Sequence, residues 1–326
     1  MENEVKVDVN VEVQINQEGQ QNIPIVQEQP KKKSNKVEII KGIISYLLFN
    51  NLVLVIAILA MILIPSLDLE DGKTLVVLDV ISSSILGVIL LILYKDLVIS
   101  DKNEIKKLGK QGFSAFIEKC ISGFIIFFVI KLGASILEST VFDILGLEYV
   151  TSENQSLIED LLDSAPALMC FSACICAPIV EELVFRGAIG KMIKNKKVFI
   201  TVSGLIFGLI HVTDSTVFIF EITLIGLVLD YFINTDKFDK SDKILLSVIS
   251  TVLILIVFGG IYYFQYGNLI LKLQSLVLSE VIGSITYIIM GVFLAWYYVK
   301  NNSILLNMGI HALNNILSMI MLLNIG

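Results

Sequence analysis

Charged and imidazole side chains inside long apolar runs are where this chain could do chemistry, because each is expensive to place there. The stretch Glu181-Glu182-Leu183-Val184-Phe185-Arg186-Gly187 interrupts an apolar run that begins near Pro166. Arg186 is the only arginine in 326 residues, against 23 lysines, and the two histidines, His211 and His311, each sit inside another apolar run. A chain that avoids Arg and His elsewhere uses them for something where it keeps them. A hydrolytic site, a proton relay and a structural ion pair all fit that description, so spacing has to separate them.

On a helix, Glu182 and Arg186 are four apart and share a face, with Glu on the amino-terminal side, the better orientation for an ion pair. Glu181 is rotated by about 100° from Glu182. One carboxylate is thereby neutralised while its neighbour points elsewhere, and a carboxylate in a low-dielectric cleft is a stronger base than one in water. Pro178 lacks a backbone donor, so the spacing predicts a kink there and leaves the Cys174 carbonyl without its helical partner. Phe207 and His211 are again four apart, with Gly204 and Gly208 allowing close approach of another helix. His311 and Asn315 repeat the spacing and set an imidazole beside an amide. Each has a plainer reading: Glu182 with Arg186 as a buried structural pair, the histidines and Asn315 as hydrogen bonders between helices. Glu221, Asp230, Glu280 and Asp79 stand in no such pattern, and Lys131 reads as a side chain snorkelling to an interface.

The elements that must position these groups are membrane helices. Mean hydropathy is +0.81; 55% of residues are hydrophobic and 17% charged. The fold class is all-α, a polytopic membrane bundle of eight to nine transmembrane helices. Spans of about 20 residues are expected near 43–65, 75–94, 119–138, 166–190, 197–213, 216–233, 243–264, 277–299 and 302–325. The fifth and sixth are short and read as a tight hairpin. Lysines cluster in the tail before the first span, in 95–119, 191–197 and 234–243, and at Lys300, whereas the loop 139–165 is acidic and has neither Lys or Arg. That segregation predicts a cytoplasmic amino terminus and an outer carboxyl terminus. Residues 1–36 form a polar tail expected to be disordered, with lysines suited to anionic lipid headgroups. Asn103–Glu118 and Ser156–Asp163 are expected to be surface helices. No cleavable signal peptide is expected. Cys120, Cys170, Cys174 and Cys176 read as small packing residues. No phosphate loop or aromatic-interleaved basic patch supports a nucleotide or nucleic-acid partner.

Depth links the three motifs. At 1.5 Å per residue, Glu181 is about 15 Å in from Lys191, His211 about 21 Å in from Lys197, and His311 about 16 Å in from Lys300. All three come to roughly one level.

Glu-Glu-x-x-x-Arg, Phe-x-x-x-His and His-x-x-x-Asn, in this order on successive apolar helices, resemble the three motifs of the CAAX-protease and bacteriocin-processing (Abi) family of intramembrane endopeptidases. The resemblance covers roughly 166–325, and divides the chain into the tail, amino-terminal helices at 37–150 and a core at 151–326. It implies that Glu181 activates the attacking water, that His211 helps hold it, and that His311 with Asn315 stabilises the oxyanion. Glu182, Arg186 and Phe207 would support them. Zinc at Glu181, His211 and His311 is conceivable, but no His-Glu-x-x-His element is present, and a metal-free glutamate mechanism with no cofactor is favoured. The implied substrates are lipidated carboxyl-terminal tails or small secreted peptides and their leaders, cut at the cytoplasmic side of a plasma membrane. Membrane lipids are partners; the oligomeric state is open. The abundance of Lys, Asn and Ile is compatible with a bacterium of low G+C content. A proton-coupled carrier would use the same buried charges but lacks an internal repeat. A non-enzymatic immunity or scaffold protein would predict decayed motifs, and here all three are intact.

Overall fold

The computed structural model describes residues 35–146, 153–211 and 282–325. Among them the chain is all-α, with nine helices and no strand. In order these are α1 (Asn35–Leu63), α2 (Gly72–Leu93), α3 (Lys95–Lys107), α4 (Gly109–Leu145), α5 (Glu153–Ser164), α6 (Pro166–Met192), α7 (Lys196–Leu209), α8 (Ile285–Asn301) and α9 (Ile304–Ile325). The expected tail and the spans at 216–233 and 243–264 lie outside the described residues.

Polarity is distributed as in a protein dissolved in lipid. α1 turns Leu54, Ile62 and Leu63 outward, and only 6% of its most apolar window is buried. Glu138, Glu182, Arg186, Asn307, His311 and Asn314 are meanwhile buried. Five described helices (α1, α2, α4, α6 and α9) are long and apolar enough to cross a bilayer. The protein is an integral membrane protein. α6 is the most enclosed of the five, with 56% of its apolar window buried. It packs Leu183, Val184, Phe185 and Ala188 into a core with Leu86, Leu90, Phe207 and Ala295.

Local signals mark the helix ends. Asp71 caps α2 by accepting the Thr74 N–H at 3.0 Å, and Asn195 caps α7 by accepting from Lys197 and Val198. Pro166 occupies the first turn of α6. Gly109 takes a left-handed φ of 57°, which ends α3 and starts α4.

That glycine corrects the expectation for Asn103–Glu118. The stretch is not one surface helix: it is split at the glycine between the end of α3 and the start of α4. With 37 residues, α4 is about 56 Å long, so it runs well past the ~30 Å hydrocarbon layer. The expected helix at Ser156–Asp163 is present as α5. The fifth expected span is corrected too. α7 stops at Leu209 after 14 residues, about 21 Å, and His211 lies in the turn just beyond it.

Two buried carboxylates from the amino-terminal helices set where the last two helices begin. Asp101 of α3 accepts the Leu305 N–H and the Ser303 hydroxyl, each at 2.9 Å, at the start of α9. Glu138 of α4 accepts the Thr286 N–H at 2.9 Å at the start of α8. Each satisfies a backbone donor that a helix start leaves open. α7 and α8 then meet through glycine: a Cβ on Gly204 would lie 2.8 Å from the Val292 nitrogen, and one on Gly208 would lie 2.5 Å from the Ile288 nitrogen. The close approach expected of these glycines is made against α8.

Candidate active site

α6 carries two π bulges, at Ser172–Cys176 and Leu183–Ala188, a device that inserts one residue into a turn and re-aims side chains. In the first, the Ala177 N–H reaches back five residues to the Ser172 carbonyl. At that spacing the Ala173 carbonyl faces Pro178, which has no N–H. Asn315 of α9 takes it instead, donating from Nδ2 at 2.7 Å. α-Helical spacing points to the Cys174 carbonyl as the one Pro178 leaves open; the bulge makes Ala173 the carbonyl that Asn315 reaches. In the second bulge the Ile189 N–H bonds to the Val184 carbonyl, and the Phe185 carbonyl accepts the Ser203 hydroxyl of α7 at 3.0 Å. Both bulges are thus tied to a neighbouring helix by a side chain.

Glu182 is fully buried among donors. Its Oε1 lies 3.2 Å from Arg186 Nη1 and 3.0 Å from His311 Nδ1, and its Oε2 accepts from Asn307 Nδ2 at 3.2 Å. Arg186 also donates from Nη2 to the Gly291 carbonyl, and its guanidinium stands 4.7 Å from the centre of the Phe207 ring. The expected pair of Glu182 and Arg186 is formed, and it extends to α8 and α9.

Glu181 has the opposite surroundings. Its Oε2 is buried with no hydrogen-bond partner among the described residues, 3.5 Å from His211 Nε2 and 3.8 Å from His311 Nε2. Both distances exceed a normal hydrogen bond. The other nitrogen of each ring is committed. His211 Nδ1 is 2.5 Å from the Phe207 carbonyl, which only accepts, so Nδ1 carries the proton and closes the last turn of α7. His311 Nδ1 faces Glu182 and likewise donates. A neutral imidazole at either position therefore turns a lone pair toward Glu181. Ring stacking fixes His211 further, between Phe207 at 4.4 Å and Tyr287 at 5.2 Å centroid to centroid.

The structure thus brings Glu181, Glu182, Arg186, Phe207, His211 and His311 to one place, and joins Asn315 to the first bulge one turn from His311. Among the described residues no group of three His, Cys, Asp or Glu side chains is disposed to hold a metal ion. All four cysteines are free. Lys131 corrects its snorkelling expectation, because its Nζ donates to Asn314 and Ser318 of α9. Asn307, Asn314, Ser203 and Tyr287 were not picked out by the motifs. Asn307 had a signal, being four residues before His311 and thus on the same helix face. The others are fixed only by which helices meet.

A family model described as Rce1-like, type II CAAX prenyl endopeptidase, matches residues 163–271 and 236–317. No curated protein and no solved structure matches the chain. The matched stretch contains all three motifs, so the family they resemble and the family found by comparison coincide. From 163 to 317 this chain is similar to the type II CAAX prenyl endopeptidases that the model describes, and the match agrees with the family its three motifs resemble.

Proposed function

We propose that the site hydrolyses a peptide bond with water activated by Glu181. The carrying observation is the convergence of three acceptors, Glu181 Oε2 and the two Nε2 atoms, with no proton donor between them among the described residues. A water molecule seated against them has two protons to give and an oxygen lone pair left to attack. The water oxygen bonds to the carbonyl carbon while its proton passes to Glu181, which later returns it to the leaving amine as the C–N bond breaks. His211 holds the water. His311 Nε2 faces the same water, its ring held from behind by the Glu182 carboxylate. The remaining N–H of Asn315 is the donor for the developing oxyanion.

The family match supports CAAX-like lipidated tails as substrates, or small secreted peptides handled by the same chemistry. Lysine segregation supports cleavage near the cytoplasmic face, with the amino terminus on that side. The test compares membranes carrying the wild-type protein with Glu181→Gln, His211→Ala and His311→Ala at matched expression, with new peptide ends labelled and identified by mass spectrometry. One set of ends is expected to vanish in all three variants. Ends indifferent to all three would remove the peptidase reading and turn attention to proton and solute flux.

A further inference from the structure

Lys131 stands within α4, outside the segment matched by the family model. Its Nζ donates to Asn314 Oδ1 at 3.1 Å and to Ser318 Oγ at 3.3 Å, both neutral. Among the described residues it forms no ion pair. A cation at bilayer depth is costly, so its placement there points to work done through the neutral partners it does contact.

The donor sense of the chain shows what that work is. An ammonium has donors only, so Asn314 must turn its oxygen to Lys131. That leaves Asn314 Nδ2 to face Asn315, whose Oδ1 it meets at 3.1 Å. Asn315 then has only its NH2 group to offer, and one of those protons goes to the Ala173 carbonyl at 2.7 Å. An isolated amide could flip. Here both ends forbid it: an ammonium that cannot accept and a carbonyl that cannot donate. Asn314 is only 4% exposed, so solvent is a poor replacement for either partner.

We propose that Lys131 is a positioning residue of the peptidase site. Acting through Asn314, it holds Asn315 with its NH2 group forward, and its charge polarises the amide chain toward negative charge developing on the substrate carbonyl oxygen. Ala173 takes one Asn315 proton and the other is the donor presented to substrate. This role rests on the peptidase reading above.

The experiment follows the rate at which Glu181-dependent peptide ends appear in membranes carrying the full-length protein. Lys131→Met, Lys131→Arg, Asn314→Leu, Asn315→Ala and the Lys131→Met/Asn315→Ala double variant are compared, with Glu181→Gln as the control. Lys131→Met is expected to slow the reaction about tenfold, as a misplaced contact does, and on a peptide spanning the identified ends it lowers kcat while KM holds. Lys131→Arg keeps most of the rate. Asn314→Leu, which cuts the same chain without touching Lys131, matches Lys131→Met. The double variant is no slower than Asn315→Ala alone. If Glu181→Gln removes no ends, the peptidase reading falls and takes this proposal with it. If Glu181→Gln removes them while Lys131→Met and Asn314→Leu run at the wild-type rate, or the double variant shows the full product of the two losses, the positioning role alone is wrong.

Discussion

His311 Nδ1 lies 3.0 Å from Glu182 Oε1, the same oxygen that faces Arg186 Nη1 at 3.2 Å. One carboxylate therefore orients an imidazole, selects which of its nitrogens carries the proton, and neutralises a fully buried guanidinium. Among the described residues its sequence neighbour Glu181 has no hydrogen-bond donor at Oε2. The two adjacent glutamates are built for opposite tasks, one spent on structure and one left available.

Their Gln variants should separate accordingly. Glu182→Gln leaves Arg186 buried without its anion, and losing one partner of a buried pair costs about 3–5 kcal/mol. A large drop in the thermal unfolding midpoint in detergent is expected, together with lost cleavage. Glu181→Gln removes a carboxylate whose Oε2 has no hydrogen-bond partner among the described residues, so its midpoint stays at or above wild type while cleavage falls by about two to four orders of magnitude. Equal destabilisation by both would contradict this division.

Pro178→Ala returns an N–H to the first π bulge, where it competes with Asn315 for the Ala173 carbonyl. Cleavage should slow several-fold while thermal stability holds or rises. A full-rate Pro178→Ala enzyme would show that this carbonyl does not help place Asn315.

Gly208 sits where α7 meets α8, three residues before His211. A Cβ there would stand 2.5 Å from the Ile288 nitrogen and 2.6 Å from its Cα, backbone atoms that cannot rotate away. Gly208→Ala is expected to destabilise by about 1–3 kcal/mol, as overpacking does. Because the helices must part to admit the methyl, cleavage should fall as well. The unfolding midpoint and the cleavage rate of the folded fraction, measured side by side, check both halves.

Asp101, on α3 outside the spans, gives a pH signature. Burial raises its carboxyl pKa above the ordinary value, against the lowering effect of its hydrogen bonds from Leu305 and Ser303. The folded state thus binds this proton more tightly than the unfolded chain. The resulting stabilisation is complete below the unfolded value of ~3.9 and is lost as pH rises through the folded value. Asp101→Asn, still an acceptor for the Leu305 N–H, should flatten that part of the stability–pH curve measured by thermal unfolding in detergent. Asp101→Ala loses the cap at every pH, at about 1 kcal/mol. An unchanged curve in Asp101→Asn would assign the dependence to another group.

What was legible in the sequence follows from local rules. Glu182 and Arg186, and His311 and Asn315, share helix faces because four residues make about one turn. The rise per residue brought Glu181, His211 and His311 to one depth before any contact was known. Hydropathy marked the helices because a bilayer leaves a backbone no other way to satisfy its hydrogen bonds within lipid.

The tertiary structure decided what local rules cannot reach. A π bulge forms when packing favours five-residue bonding over four, so the carbonyl that Asn315 takes could not be counted from Pro178 on α-helical spacing. α7 ends at Leu209 with His211 Nδ1 closing its last turn, although hydropathy runs on past that point, because hydropathy measures burial and not hydrogen bonding. Lys131 finds Asn314 and Asp101 finds Leu305 across gaps of 183 and 204 residues. The sequence by itself determined which groups could react; which of them are left without partners, and so able to react, was decided by where α3, α4, α7 and α9 come to rest against α6 and one another.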